Sequence, residues 1–198
     1  LPLVLAIDAL VGRVRIIDVN LLPPREVAPL NLPNYDDWVL REALHNCVAH
    51  QDYAQGGRIL VTESPDTLRF FNYGEFLPGS VDKVLHAAQP EQRYRNACLA
   101  NAMVELDLME TINSGVKGMF RKQRERFFPL PDYAIEGPPP SVSVTIYGRT
   151  LDERYVGALM THTHLSLDEA VLLDQIQKGR PLAAGQLQRL RAKGQGEG

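Results

Sequence analysis

A chain of 198 residues with 44% hydrophobic content can bury a core and fold as one or two domains. Its formal charge of −3 excludes a global electrostatic footprint for nucleic acid. No apolar run approaches the ~18 residues of a membrane-spanning helix, so a cytoplasmic protein without a membrane partner is expected.

The first six residues are apolar, but Asp8 follows and no basic residue precedes it, which argues against a signal peptide. The sequence does not start with Met and reads as a piece of a longer protein. Cys47 and Cys98 lie in apolar, helical surroundings and are expected as two buried free thiols. The close Cys/His pairs of a zinc site are not in the sequence.

In chain order, residues 3–10 suit a short helix, and Val14, Ile16 and Val19 suggest a strand. Pro23-Pro24 and the stretch from Pro29 to Pro33 predict an extended linker. Asn34 or Asp36 can cap the next helix, whose apolar face is Trp38, Val39, Ala43, Leu44, Cys47 and Val48. Glu42 and Asn46 lie one turn apart on that helix and project from one face. A carboxylate and an amide so placed can hold a metal ion and steer a water. They can equally be two polar residues on a solvated face.

Gly56-Gly57 ends that region. Residues 58–63 and 67–72 read as a hairpin around Ser64-Pro65-Asp66 and lead into Gly74. Helices are expected over 81–88 and 95–106, and a basic one over 115–127, stopped by Phe128-Pro129-Leu130-Pro131. Val142, Val144 and Ile146 alternate with Ser143 and Thr145 as a strand. The pattern is α/β, with a mixed sheet covered on one face.

The tail reads as three short helices over 152–160, 167–177 and 183–192, so a boundary is placed near Arg149-Thr150. This divides the chain into a lead-in of 1–33, an α/β domain of 34–149 and a helical segment of 150–198. Arg180, Arg189, Arg191 and Lys193 put positive charge on the last helix and its approach. That suits the front of a winged helix-turn-helix on DNA, or a small helical cap with a solvated basic face.

Four pieces of sequence occur in a telling order. They are Arg41-Glu42-Ala43-Leu44-His45-Asn46 with His50-Gln51-Asp52-Tyr53, then Asn72-Tyr73-Gly74-Glu75-Phe76-Leu77-Pro78-Gly79, then Arg95-Asn96-Ala97-Cys98-Leu99-Ala100, then Asn113-Ser114-Gly115-Val116. Together they resemble the GHKL ATPase fold, and more closely its divergent branch in RecG-related and AlbA-type bacterial transcriptional regulators. The resemblance covers about residues 34 to 148.

It implies ATP and magnesium as cofactors. Asn46 would ligate the metal, which keeps several waters and phosphate oxygens as its other ligands. Glu42 matches the general base of hydrolysing members. Asn72 and Gly74 correspond to the adenine-reading D-x-G-x-G loop, with Asp replaced by Asn and the last Gly by Phe76. Asn72 still offers a carbonyl acceptor, and Gly74 can also be an ordinary turn glycine. Ser114 and Gly115 would meet phosphate at a helix start, with Lys117 in the first turn, or form a plain helix start. Asp52 can serve the site or cap a local Asx turn.

Arg121, Lys122, Arg124 and Arg126 form a basic run that suits a solvated face or nucleic acid. His86, His162 and His164 are expected to lack convergent partners, and Ser166 to cap the following helix. No Walker-type loop and no Ser/His/Asp arrangement is present, so the sequence holds no P-loop helicase motor. The expected function is a nucleotide-binding regulatory module of a DNA-binding transcriptional regulator. The alternatives are a GHKL-like homodimerisation or relay scaffold, and a weak ATPase.

Overall fold

A computed structural model describes residues 3–22, 28–88, 93–108, 115–182, 185 and 188. Helix α1 (Leu3–Val11) is followed by strands β1 (Asp18–Leu21) and β2 (Leu30–Pro33), which pair antiparallel with Leu21 opposite Leu30. The expected linker at 29–33 is therefore a strand. Its proline, Pro33, closes the strand of a two-stranded ribbon, where a missing N–H is tolerated. The strand read around Val14 starts later, at Asp18. Asn34 holds the preceding turn: its Oδ1 accepts from Ile17 N at 2.9 Å and its Nδ2 donates to Arg15 O at 3.2 Å.

Asp36, not Asn34, caps α2 (Asp37–His50) by accepting from Val39 N. Five of the six expected apolar positions of α2 are buried, and Trp38 is partly so. The main sheet has the order β3 (Leu60–Glu63), β4 (Thr67–Tyr73), β6 (Ser141–Tyr147), β5 (Asp132–Glu136). The α/β architecture, with helices over a sheet, stands as expected. Every described pairing is antiparallel, because β3–β4 and β5–β6 are hairpins and β4 runs against β6. Leu68 and Phe70 of β4 face α2 beside Ile146 and Val144 of β6, and this face carries the principal core.

Helices α3 (Val81–His86), α4 (Ala97–Glu105) and α5 (Gly115–Glu125) lie between β4 and β5 in sequence. Met103 and Met119 join α4 and α5 to the principal core. Helices α6 (Glu153–Thr161) and α7 (Leu167–Gln177) pack on a second core of Leu85, Phe120, Leu130, Tyr155, Leu159 and Ala170. Ser166 caps α7 in a reciprocal box with Glu169. Of the final expected helix, over 183–192, only residues 185 and 188 are described, both helical.

Three further expectations are corrected. Cys98 is exposed, in the first turn of α4; Cys47 is buried, and burial pushes its thiol up to about 12. The basic run of α5 is not simply a solvated face. Arg124 donates to Leu165 O at 2.8 Å, and Arg126, 8% exposed, donates to Gln123 Oε1 and Pro33 O and stacks on Phe128. His86 has a partner: its Nε2 lies 2.9 Å from Asp168 Oδ1, joining α3 to α7.

Candidate functional site

Helix α2 supplies one polar stripe, Glu42, Asn46 and His50, at successive one-turn intervals. Asn46 Nδ2 donates to Glu42 O at 2.8 Å and to Glu42 Oε1 at 2.9 Å. The amide nitrogen is thereby committed to Glu42, which leaves Oδ1 as the acceptor of this side chain. The Glu42 residue is 8% exposed. The start of α5 rests against it, with a Cβ built on Gly115 standing 3.7 Å from Glu42 Oε1 and Gly115 at φ +24. Sequence positions 42 and 115 thus meet in space.

Two tyrosines wall this stripe. Tyr94 lies on His50, ring centroids 5.6 Å apart, and burial, then the charge of Glu42, raises its pKa. Burial, then Glu42 and Cys47, pushes Tyr133 well up. Phe76 turns onto Tyr133, ring centroids 5.8 Å apart. Sequence reasoning missed Tyr94 and Tyr133. Tyr94 adjoins the Arg95-Asn96 motif, which was a usable signal; Tyr133 sits on β5, a strand with no clear alternation.

The C-terminal end of α2 is stitched to the end of β4, where Asn72 lies in the strand rather than in the expected loop, to Gly74 and to residues 94–96. Gln51 Oε1 accepts from Tyr73 N at 3.0 Å, and Asp52 N donates to Tyr73 O at 2.8 Å. Asn72, 5% exposed, donates from Nδ2 to Tyr73 O at 3.0 Å. Gly74 donates to Pro140 O at 2.8 Å and holds φ +126. A Cβ there would stand 2.8 Å from His50 O, so glycine is required for this approach as well as for the turn. Asn96 donates from Nδ2 to Ala49 O at 3.2 Å and Gln51 O at 2.8 Å, satisfying carbonyls that α2 leaves open. Asp52 caps a short 3-10 turn by accepting from Ala54 N, and its bond from Gln55 holds its carboxyl below the usual range.

Of the other expected residues, two are described. Lys117 is exposed, about 200° around α5 from Gly115. Arg180 is held by Asp132 in a two-point ion pair, Nη1 to Oδ1 at 2.7 Å and Nη2 to Oδ2 at 2.6 Å. Ser114, Arg189, Arg191 and Lys193 lie outside the described residues. Among the described residues no three His, Cys, Asp or Glu side chains gather as a metal site. Asn46 Oδ1 is an oxygen donor of the type a magnesium shell accepts, and phosphates and water would supply the other ligands. Among the described residues no helix is long and apolar enough to cross a membrane.

Residues 56–146 match the family model described as "Putative ATP-dependent DNA helicase recG C-terminal". That stretch is thus similar to a RecG-related, ATPase-like domain, and the α/β architecture around it is consistent with a GHKL-like fold. It includes Asn72, Gly74, Ser114, Gly115 and Lys117, and starts after Glu42 and Asn46. The crystal structure of the DIP2311 protein from Corynebacterium diphtheriae has the same fold, with a TM-score of 0.55 and 21% identity. The likeness covers 84% of this chain and 34% of that one, so this chain spans about a third of that protein's length. No curated protein matches the chain.

Proposed function

We propose, starting from the RecG-related, ATPase-like domain over residues 56–146, that this chain is an ATP- and magnesium-binding regulatory module of a bacterial DNA-binding transcriptional regulator. The observation that carries this reading is the meeting of Gly115 with Glu42, whose carboxylate is bonded to Asn46. Asn46 Oδ1 is the metal-facing oxygen, oriented by the two bonds its Nδ2 makes to Glu42. Magnesium bound there supplies charge neutralisation to the phosphates. The backbone N–H groups at the start of α5, from Gly115 on, receive phosphate, and Ser114, the preceding residue in sequence, shares that role. Lys117 sits in the same first turn and adds positive charge near that end. Asn72 offers its amide oxygen to the base amino group, and Gly74 lets the loop turn beneath it. The DNA contacts fall to Arg189, Arg191 and Lys193, with Arg180 available only if it leaves Asp132.

The test is calorimetric titration with Mg-ATP, using Asn46→Ala as control. Saturable binding in the parent protein and its loss in the variant support the reading. An absence of binding at millimolar nucleotide removes it. In the weak-ATPase version Glu42 takes the proton of the attacking water, and Glu42→Gln abolishes phosphate release while sparing binding. The second reading, a homodimeric scaffold that has lost its nucleotide, is favoured by one observation: Arg95 lies against Gly74, where a base would approach. Concentration-dependent dimerisation unaffected by Mg-ATP would decide for it.

A further inference from the structure

The side of Gly74 where a Cβ would point is filled, nearest of all by His50 O at 2.8 Å. Arg95 Nε stands 3.0 Å from the position a Gly74 Cβ would take. The neighbours of Arg95 are firmly tied: the Tyr94 ring lies on His50, and Asn96 bonds Ala49 O through both its backbone N, at 3.1 Å, and its side chain, at 3.2 Å. The guanidinium between them is not. Its Nη1 is 3.9 Å from Asp52 Oδ2, beyond hydrogen-bond distance, and its Nε is enclosed with no acceptor. An ion pair that long between partly exposed groups contributes little, and an enclosed N–H without an acceptor is destabilising. The backbone of 94–96 is thus fixed while the Arg95 side chain is weakly held, with 26% of it exposed as a way out.

We propose that Arg95 is a built-in plug of the base-reading loop, which a purine nucleotide must displace to lie against Gly74. This rests on the nucleotide-site reading above. The free protein holds the site closed, and binding exchanges the side chain for the base. The released guanidinium gains water and the nearby Asp52 carboxylate, both of which satisfy the donor left idle in the closed form. If the plug is seated about nine-tenths of the time, it weakens apparent affinity about tenfold. The device sets nucleotide affinity from outside the residues that contact phosphate and metal.

The test is titration with Mg-ATP of the parent protein, Arg95→Ala, Arg95→Ser, and Arg95→Ala combined with Asn46→Ala, with thermal melting to check folding. The plug requires Arg95→Ala and Arg95→Ser to bind about tenfold more tightly, and the added Asn46→Ala to abolish the gain. Unchanged or weaker binding in the folded variants overturns the plug, while binding by the parent protein leaves the nucleotide site standing. If neither the parent nor the variants bind, the site and the plug fall together. Should both substitutions disturb folding, the Arg95 Nε–H resonance of the parent protein decides the matter. It must lose its protection from exchange when Mg-ATP saturates, and a resonance that stays protected overturns the proposal.

Discussion

His45 stands on α2 with 3% of its surface exposed, and its Nε2 meets no hydrogen-bond partner. Burial, then the charge of Arg41, lowers its pKa from 6.5 to about 4, with Asp8 opposing. Burial, then Arg95, lowers His50 from 6.5 to about 4 as well. The unfolded chain takes up a proton at each ring near 6.5, and the folded chain does so only near 4. Between these values the unfolded state binds more protons, so stability falls with the pH. The gap contributes up to about 3 kcal/mol per histidine, present in full above 6.5 and lost by about 4. Two such contributions approach the ~5–15 kcal/mol that holds a whole domain together. Asp132, held below the usual range by Arg180 and Lys178 against the effect of burial, adds its own acid loss only at lower pH. Asp174, raised by burial, acts in the opposite sense and favours folding as the pH falls. Urea unfolding across this range, with imidazole NMR of the folded protein, measures both quantities. His45→Gln should remove about half of the slope. A flat stability profile from 6.5 down to about 4, or either ring titrating near 6.5 in the folded protein, would refute the argument.

Three further perturbations follow from the same geometry. Asn96→Ala strips two side-chain bonds from the carbonyls at the end of α2 and should destabilise by about 2 kcal/mol, lowering the melting midpoint by roughly 4–8 °C. An unchanged midpoint would mean that water replaces the amide. Lys178, its side chain 3% exposed, lies 3.0 Å from Asp132 Oδ1, 2.7 Å from Asp174 Oδ2 and 2.7 Å from Leu130 O. Lys178→Met leaves the buried Asp174 carboxylate without its cation, while Asp132 keeps Arg180, and should cost about 3–5 kcal/mol in urea unfolding, with adding Asp174→Leu regaining part of it. Tyr35 is 3% exposed and its hydroxyl has no hydrogen-bond partner, so Tyr35→Phe should stabilise by about 1 kcal/mol. A loss of stability in that variant would point to a buried water on the hydroxyl.

Much of the local structure was legible because its causes are local. Asp36, Asp52, Asp152 and Ser166 cap turns and helices within a few residues of themselves, and the 60–73 hairpin is written in its alternation and its Pro65 turn. The pairing of Glu42 with Asn46 follows from helical spacing alone. Less legible was the role of Arg95-Asn96. The motif was visible, but no property of it announces that Asn96 closes a helix some 45 residues earlier. β5 was missed because its exposed edge carries Asp132 and Glu136, and its pairing depends on β6 rather than on its own pattern.

The sequence by itself determined the helices, the central hairpin and the polar stripe of α2, because helical bonds and tight turns join residues a few positions apart. Tertiary structure alone decided that Gly115 meets Glu42, that Arg126 reaches Pro33, that His86 bridges to Asp168, and that Arg180 spends its charge on Asp132. Each of these contacts joins residues far apart in the chain. Which of several charged or polar groups meet depends on how the helices close over the sheet, and that closure is not encoded in the spacing of any one segment.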